Sequence, residues 1–67
     1  MLFVKERTNV MIPKDPVMLL SFINLKLRDY YGNLDGLCED LELDRKELEN
    51  KLAGIDYHYD SEKNQFI

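Results

Sequence analysis

Leu34-Asp35-Gly36-Leu37-Cys38-Glu39-Asp40-Leu41-Glu42-Leu43-Asp44-Arg45-Lys46-Glu47-Leu48-Glu49-Asn50-Lys51-Leu52 is the stretch whose pattern decides the fold. Leu34, Leu37, Cys38 and Leu41 recur at i, i+3, i+4 and i+7, the spacing that gathers side chains on one face of a helix. Leu43-Asp44 breaks the phase. Asp44 followed by Glu47 is the Asp form of a capping box, so a further helix starts at about Arg45 and turns Leu48, Leu52 and Ile55 inward. Gly54 is its natural stop. Beyond it, Tyr57 and Tyr59 alternate with His58 before the polar turn Asp60-Ser61-Glu62-Lys63-Asn64, and Phe66 follows, which reads as a short hairpin.

Working back toward the N-terminus, Asp15-Pro16 is a strong helix start. The Asp carboxylate accepts from free backbone N–H groups, and Pro, which has none, fits the first helical position. Gly32-Asn33 ends that first helix and caps the next. Leu19, Leu20, Ile23, Leu27, Tyr30 and Tyr31 fall on one broad apolar face, with Ser21, Asn24 and Arg28 as a polar stripe beside it. Met18, Phe22 and Leu25 form a second apolar stripe nearly opposite the first. The pattern is that of a mainly α, three-helix, helix-turn-helix-like domain with a C-terminal β-hairpin, winged-helix-like, spanning 12–67. Residues 1–11 read as an N-terminal extension or a short strand at Leu2-Phe3-Val4, and Met11 is itself a possible start.

Length and charge bound the function. Sixty-seven residues make one domain whose core is small. Domains of this size usually need a staple, a metal or a partner. A single Cys forms no internal disulfide and fits a reducing compartment. The N-terminus turns charged at Lys5-Glu6-Arg7, too early for a secretory signal, and no apolar run approaches the ~20 residues of a membrane span. A cytoplasmic protein is expected. The net charge is −4, distributed unevenly: residues 1–33 carry five basic and three acidic groups, residues 34–67 four basic and ten acidic ones. So acidic a half repels phosphate backbones and anionic lipid.

From Ile12 onward the chain resembles a family of short bacterial proteins catalogued as domain of unknown function 4250. The residues that carry the resemblance are Ile12-Pro13-Lys14-Asp15-Pro16-Val17-Met18-Leu19-Leu20-Ser21, Asn24, Lys26-Leu27-Arg28-Asp29, Leu37-Cys38-Glu39-Asp40-Leu41, Tyr57-His58-Tyr59-Asp60 and Asn64-Gln65-Phe66. The resemblance implies a bacterial protein and brings no activity, substrate or partner. Asp56 departs from the family pattern, which favours Gly there, and Asp tolerates a positive φ.

Four groups of residues are candidates for function. In a nucleic-acid reader, Arg45, Lys46 and Lys51 of the third helix would meet phosphate. They are opposed by Glu47 and Glu49 and by a second helix with four acids and no base, so nucleic-acid binding ranks as the alternative only. Cys38 and His58 are too few for a structural zinc site, and the first reads as a core thiol. Asp60, Glu62 and Asn64 superficially match a calcium loop but lack its Gly and its bidentate Glu. No metal or cofactor is expected. No set of side chains suits catalysis, so an enzyme is not expected.

Two readings of the Ser21, Asn24 and Arg28 stripe stand: a solvated face with a cap or an ion pair, for instance Arg28 to a carboxylate of the second helix, or a docking site for a peptide or small anion. Met18, Phe22 and Leu25 either pack beneath the N-terminal segment, with Phe3 or Val10 as cover, or form a homodimer seam or partner groove. The favoured expectation is a non-enzymatic interaction module that self-associates through that stripe.

Overall fold

The computed structural model describes residues 12–67 and shows three helices followed by a two-stranded antiparallel hairpin. The expected strand at Leu2-Phe3-Val4 and the expected cover from Phe3 or Val10 lie outside the described residues. Helix α1 runs Pro16–Asp29, α2 Leu34–Leu41 and α3 Arg45–Ala53, with β1 at Tyr59–Asp60 and β2 at Gln65–Phe66.

Each helix starts where a side-chain oxygen is available to its free N–H groups. Asp15 accepts from the Met18 amide at 3.1 Å, Asn33 from Gly36 at 2.7 Å, and Asp44 from Lys46 and Glu47 at 3.0 and 3.4 Å. Helix α3 stops at Gly54, its C-cap, as its sequence indicates, whereas α1 already stops at Asp29, ahead of Gly32. No glycine among the described residues has a positive φ, and Gly54 continues in right-handed geometry. The left-handed positions belong to Glu42, Asp56 and Asn64. Glu42 closes α2 at φ 59°, its N–H donating to the carbonyls of Cys38 and Glu39. A side chain with a β-carbon is strained there, by roughly 1 kcal/mol. Glu42→Gly is therefore expected to raise stability by about 0.5–1 kcal/mol, read as a higher urea midpoint at unchanged slope.

Among the described residues, nine side chains form the core: Leu19, Ile23 and Leu27 of α1, Leu34, Leu37 and Cys38 of α2, Leu48 and Leu52 of α3, and Phe66 of β2. All three helices and the hairpin thus share one apolar centre. Tyr30, read as inward, is 69% exposed. It is the C-cap of α1, with φ −129°, so it leaves the helical phase and swings out beneath Lys26, whose ammonium lies 4.9 Å from the ring centroid.

The hairpin is joined to the helices by polar side chains. His58 and Ile67 exchange both backbone hydrogen bonds, at 3.0 and 2.9 Å, which makes the next pair, Tyr59 opposite Phe66, a non-hydrogen-bonded one. The N–H and C=O of Phe66 consequently point away from β1, toward α1. There the Asn24 amide takes both: the Phe66 N–H donates to Oδ1 at 2.8 Å, and Nδ2 donates to the Phe66 carbonyl at 3.0 Å. Asn24 occupies the place of a third strand at that residue.

A second amide does comparable work at the other end of the hairpin. Asn64 Nδ2 donates to the carbonyls of Leu27 and Tyr31 at 3.1 and 2.9 Å, satisfying acceptors that the end of α1 leaves open. Its Oδ1 accepts from the Tyr59 hydroxyl at 2.7 Å, and that hydroxyl in turn accepts from the Leu34 N–H at the start of α2. One chain of hydrogen bonds thus connects β1, the hairpin turn, α1 and α2.

Candidate functional site

The Ser21, Asn24 and Arg28 stripe does not act as a unit. Asn24 is held on the Phe66 backbone, half-buried, with one donor and one acceptor already engaged. Arg28 pairs with its neighbour Asp29, Nε to Oδ1 at 3.0 Å, rather than with a carboxylate of α2. That hydrogen bond holds the Asp29 carboxyl below its usual range and the Arg28 guanidinium above its own. Ser21 is exposed. All three border an open groove whose far wall is Tyr57, Gln65 and Ile67.

The second apolar stripe keeps its face but not its uniformity. Met18 is 62% exposed and Leu25 45%, and Val17, at 61%, extends the apolar surface toward the N-terminus of α1. Phe22 is half-buried, one side packed on the core and the other beneath the Lys26 ammonium at 5.4 Å from its centroid. The reason lies in helix geometry: Leu19, Ile23 and Leu27, four apart, share the inward face, and Met18, one residue from Leu19, and Val17 and Leu25, two residues from Leu19 and Ile23, turn away from it. Val17, Met18 and Leu25 thus remain as apolar surface on a helix whose opposite side is fully packed.

The expected nucleic-acid contacts are placed unequally. Arg45 reaches Asp35 at 2.7 Å and Glu49 at 3.4 Å, and its guanidinium carbon sits 5.5 Å from the Tyr59 ring centroid. Asp35 raises its affinity for its proton, so Arg45 is a charge already matched at home. Lys46 and Lys51 are exposed. On α2, Asp35, Glu39 and Asp40 are exposed, as is Glu42 at its end, and Asp40 accepts from the Tyr31 hydroxyl.

Cys38 is buried in the core, and burial pushes its thiol pKa up. His58 is exposed on the outer side of the hairpin. The turn residues named as a superficial calcium match have local tasks, Asp60 accepting from the Glu62 and Lys63 amides and Asn64 bridging to α1. Among the described residues no group of three or more His, Cys, Asp or Glu is arranged to hold a metal ion, and no helix is long and apolar enough to cross a membrane.

The raised thiol pKa has a testable consequence. The unfolded chain ionises Cys38 first, so the thiol's contribution to stability is complete below the ordinary thiol pKa of about 8.5 and is lost as pH climbs through the higher folded value. Urea midpoints of the wild-type chain are expected to fall more steeply above that pH than those of Cys38→Ala. Equal slopes would contradict it.

The model of the family described as domain of unknown function (DUF4250) matches residues 13–66. The chain belongs to this family. No curated protein and no solved structure matches it. The DUF4250 match takes in all three helices and both strands, and with them both asparagine bridges and the exposed stripe of α1.

Sequence reasoning missed the Asn24 and Asn64 bridges and the Arg45–Asp35 pair. A signal for the first was present. Asn is a poor residue for a helix interior because its amide competes for backbone groups, so an Asn midway along an otherwise apolar α1 of this DUF4250 chain calls for a partner outside the helix.

Proposed function

We propose that this chain is a small, non-enzymatic protein–protein interaction module that self-associates through the outward face of α1. The observation that carries the reading is the exposure of Met18 and Leu25, with Val17 beside them, on a helix whose other side is already closed by the core. Scattered apolar side chains are normal on a surface. Val17 and Met18 in the first turn and Leu25 two turns on, with the half-buried Phe22 between them, form a patch along one helix that gains by being covered. The small core supports the same reading, since domains of this length commonly draw part of their stability from a partner. The single buried thiol fits a reducing, cytoplasmic setting in a bacterial cell.

The alternative, a divergent winged-helix regulator, has less behind it. Its principal guanidinium, Arg45, is engaged by Asp35 and Glu49, and the neighbouring α2 surface is acidic. Nucleic-acid affinity rests on phosphate neutralisation, which this arrangement disfavours.

Backbone amide spectra recorded on dilution test the reading. Self-association through α1 is expected to move the signals of Met18, Phe22, Leu25 and their neighbours while leaving the β1–β2 turn still. Spectra that do not change with concentration would overturn it.

A further inference from the structure

We propose that the occupant of the α1 face is a second copy of this chain lying antiparallel, with the two-fold axis passing between Ser21 and Phe22. The proposal rests on the self-association reading and adds its geometry. In this register Met18 of one copy lies opposite Leu25 of the other, and the two Phe22 rings meet near the axis. Lys14 falls opposite Asp29, and Asp15 opposite Arg28, so each helix end meets opposite charge. Every pair occurs twice, as a two-fold contact requires.

Charge selects this arrangement over its competitors. The helix α1 itself holds Lys26 and Arg28 against Asp29, whereas the chain from Leu34 on holds four basic and ten acidic groups. Two copies of a chain of net charge −4 approach with least repulsion along the α1 face. A parallel pairing would set Lys14 against Lys14 and Asp29 against Asp29. The antiparallel one also brings the positive N-terminus of each α1 beside the negative C-terminus of the other. Asp15, Arg28 and Asp29 are exposed and hold hydrogen-bonding capacity beyond their present bonds, since Asp15 receives the Met18 amide and Arg28 donates twice to Asp29.

Single cysteines in the full chain, joined by a short bifunctional thiol reagent, read the register. The wild-type chain, with its buried Cys38, is the blank. Ser21→Cys is expected to crosslink to itself, Met18→Cys and Leu25→Cys separately are not, and an equal mixture of those two is. Self-crosslinking of Met18→Cys and of Leu25→Cys, with no gain on mixing, would establish a parallel pairing and overturn the register alone. Absence of every crosslink, together with a monomer by light scattering, would overturn the self-association reading itself. Charge reversal gives an independent readout: Lys14→Glu is expected to weaken dimerisation roughly threefold to tenfold, with Lys14→Glu/Asp29→Lys restoring it. An unchanged affinity in Lys14→Glu would contradict the register.

Discussion

Asn24→Ala is expected to destabilise the domain by about 2–4 kcal/mol. The substitution leaves the N–H and C=O of Phe66 facing α1 without partners, and an unsatisfied, partly buried polar group costs roughly 1–3 kcal/mol. Ala is the better helix former by about 0.5 kcal/mol, a small offset. Total stability for a chain of this length is on the order of 3–10 kcal/mol, so the loss removes a large share of it. Urea denaturation followed by circular dichroism measures it. Ser21→Ala, one turn away and exposed, serves as the contrast and is expected to stay within about 0.5 kcal/mol of wild type. If both variants behaved alike, the Asn24 amide would have no special part in holding β2.

Phe66→Ala is expected to cost more, about 3–5 kcal/mol, and to leave the chain largely unfolded at ambient temperature. Phe66 is the one hairpin side chain among the nine core residues, 1% exposed, with its ring centroid 5.6 Å from that of Tyr59. Its removal opens a cavity in the shared core beside α1 and loosens the seating of β2 on which the Asn24 amide bonds depend. The two substitutions act on one contact from opposite sides. With the milder Phe66→Leu in place of Phe66→Ala, so that the chain stays folded, the effects are accordingly expected to fall short of additive, measured as a coupling energy in a double-mutant cycle with Asn24→Ala. Strict additivity would show that the amide clasp forms independently of the ring.

Much of the fold was legible because its signals are local. The three N-caps Asp15, Asn33 and Asp44 each precede their helix by a single residue, and the helical spacing picked out Leu19, Ile23, Leu27, Leu34, Leu37, Cys38, Leu48 and Leu52 as the inward set. The errors came where a helix ends. Tyr30 continues the apolar period on paper, but the helix stops at Asp29 and the residue turns outward. Gly32 suits a left-handed stop for α1, yet no described glycine has a positive φ; Glu42 and Asn64 take that geometry without a sequence signal, while Asp56, whose tolerance of a positive φ is legible in the sequence, adopts it.

The candidate site was legible in part, for a different reason. The outward stripe of α1 follows from periodicity, and the exposures of Met18 and Leu25 agree with that placement. The polar stripe beside it reads as a set because helical spacing places Ser21, Asn24 and Arg28 along one side of α1. Asn24 finds its partner 42 residues away, at Phe66, and nothing in a single sequence joins two such positions. Arg45 likewise reads as a free cation until Asp35, on the preceding helix, is brought to 2.7 Å. Long-range polar pairing depends on the tertiary arrangement, which periodicity fixes only coarsely.

Sedimentation equilibrium of the full chain, from micromolar to millimolar concentration, addresses the α1 face most directly. A weight-average mass rising toward twice the 8.0 kDa chain mass is expected, with Met18→Glu/Leu25→Glu remaining at 8.0 kDa and fully folded. A wild-type chain that stays at 8.0 kDa throughout, or a double variant that dimerises as well as wild type, would contradict it.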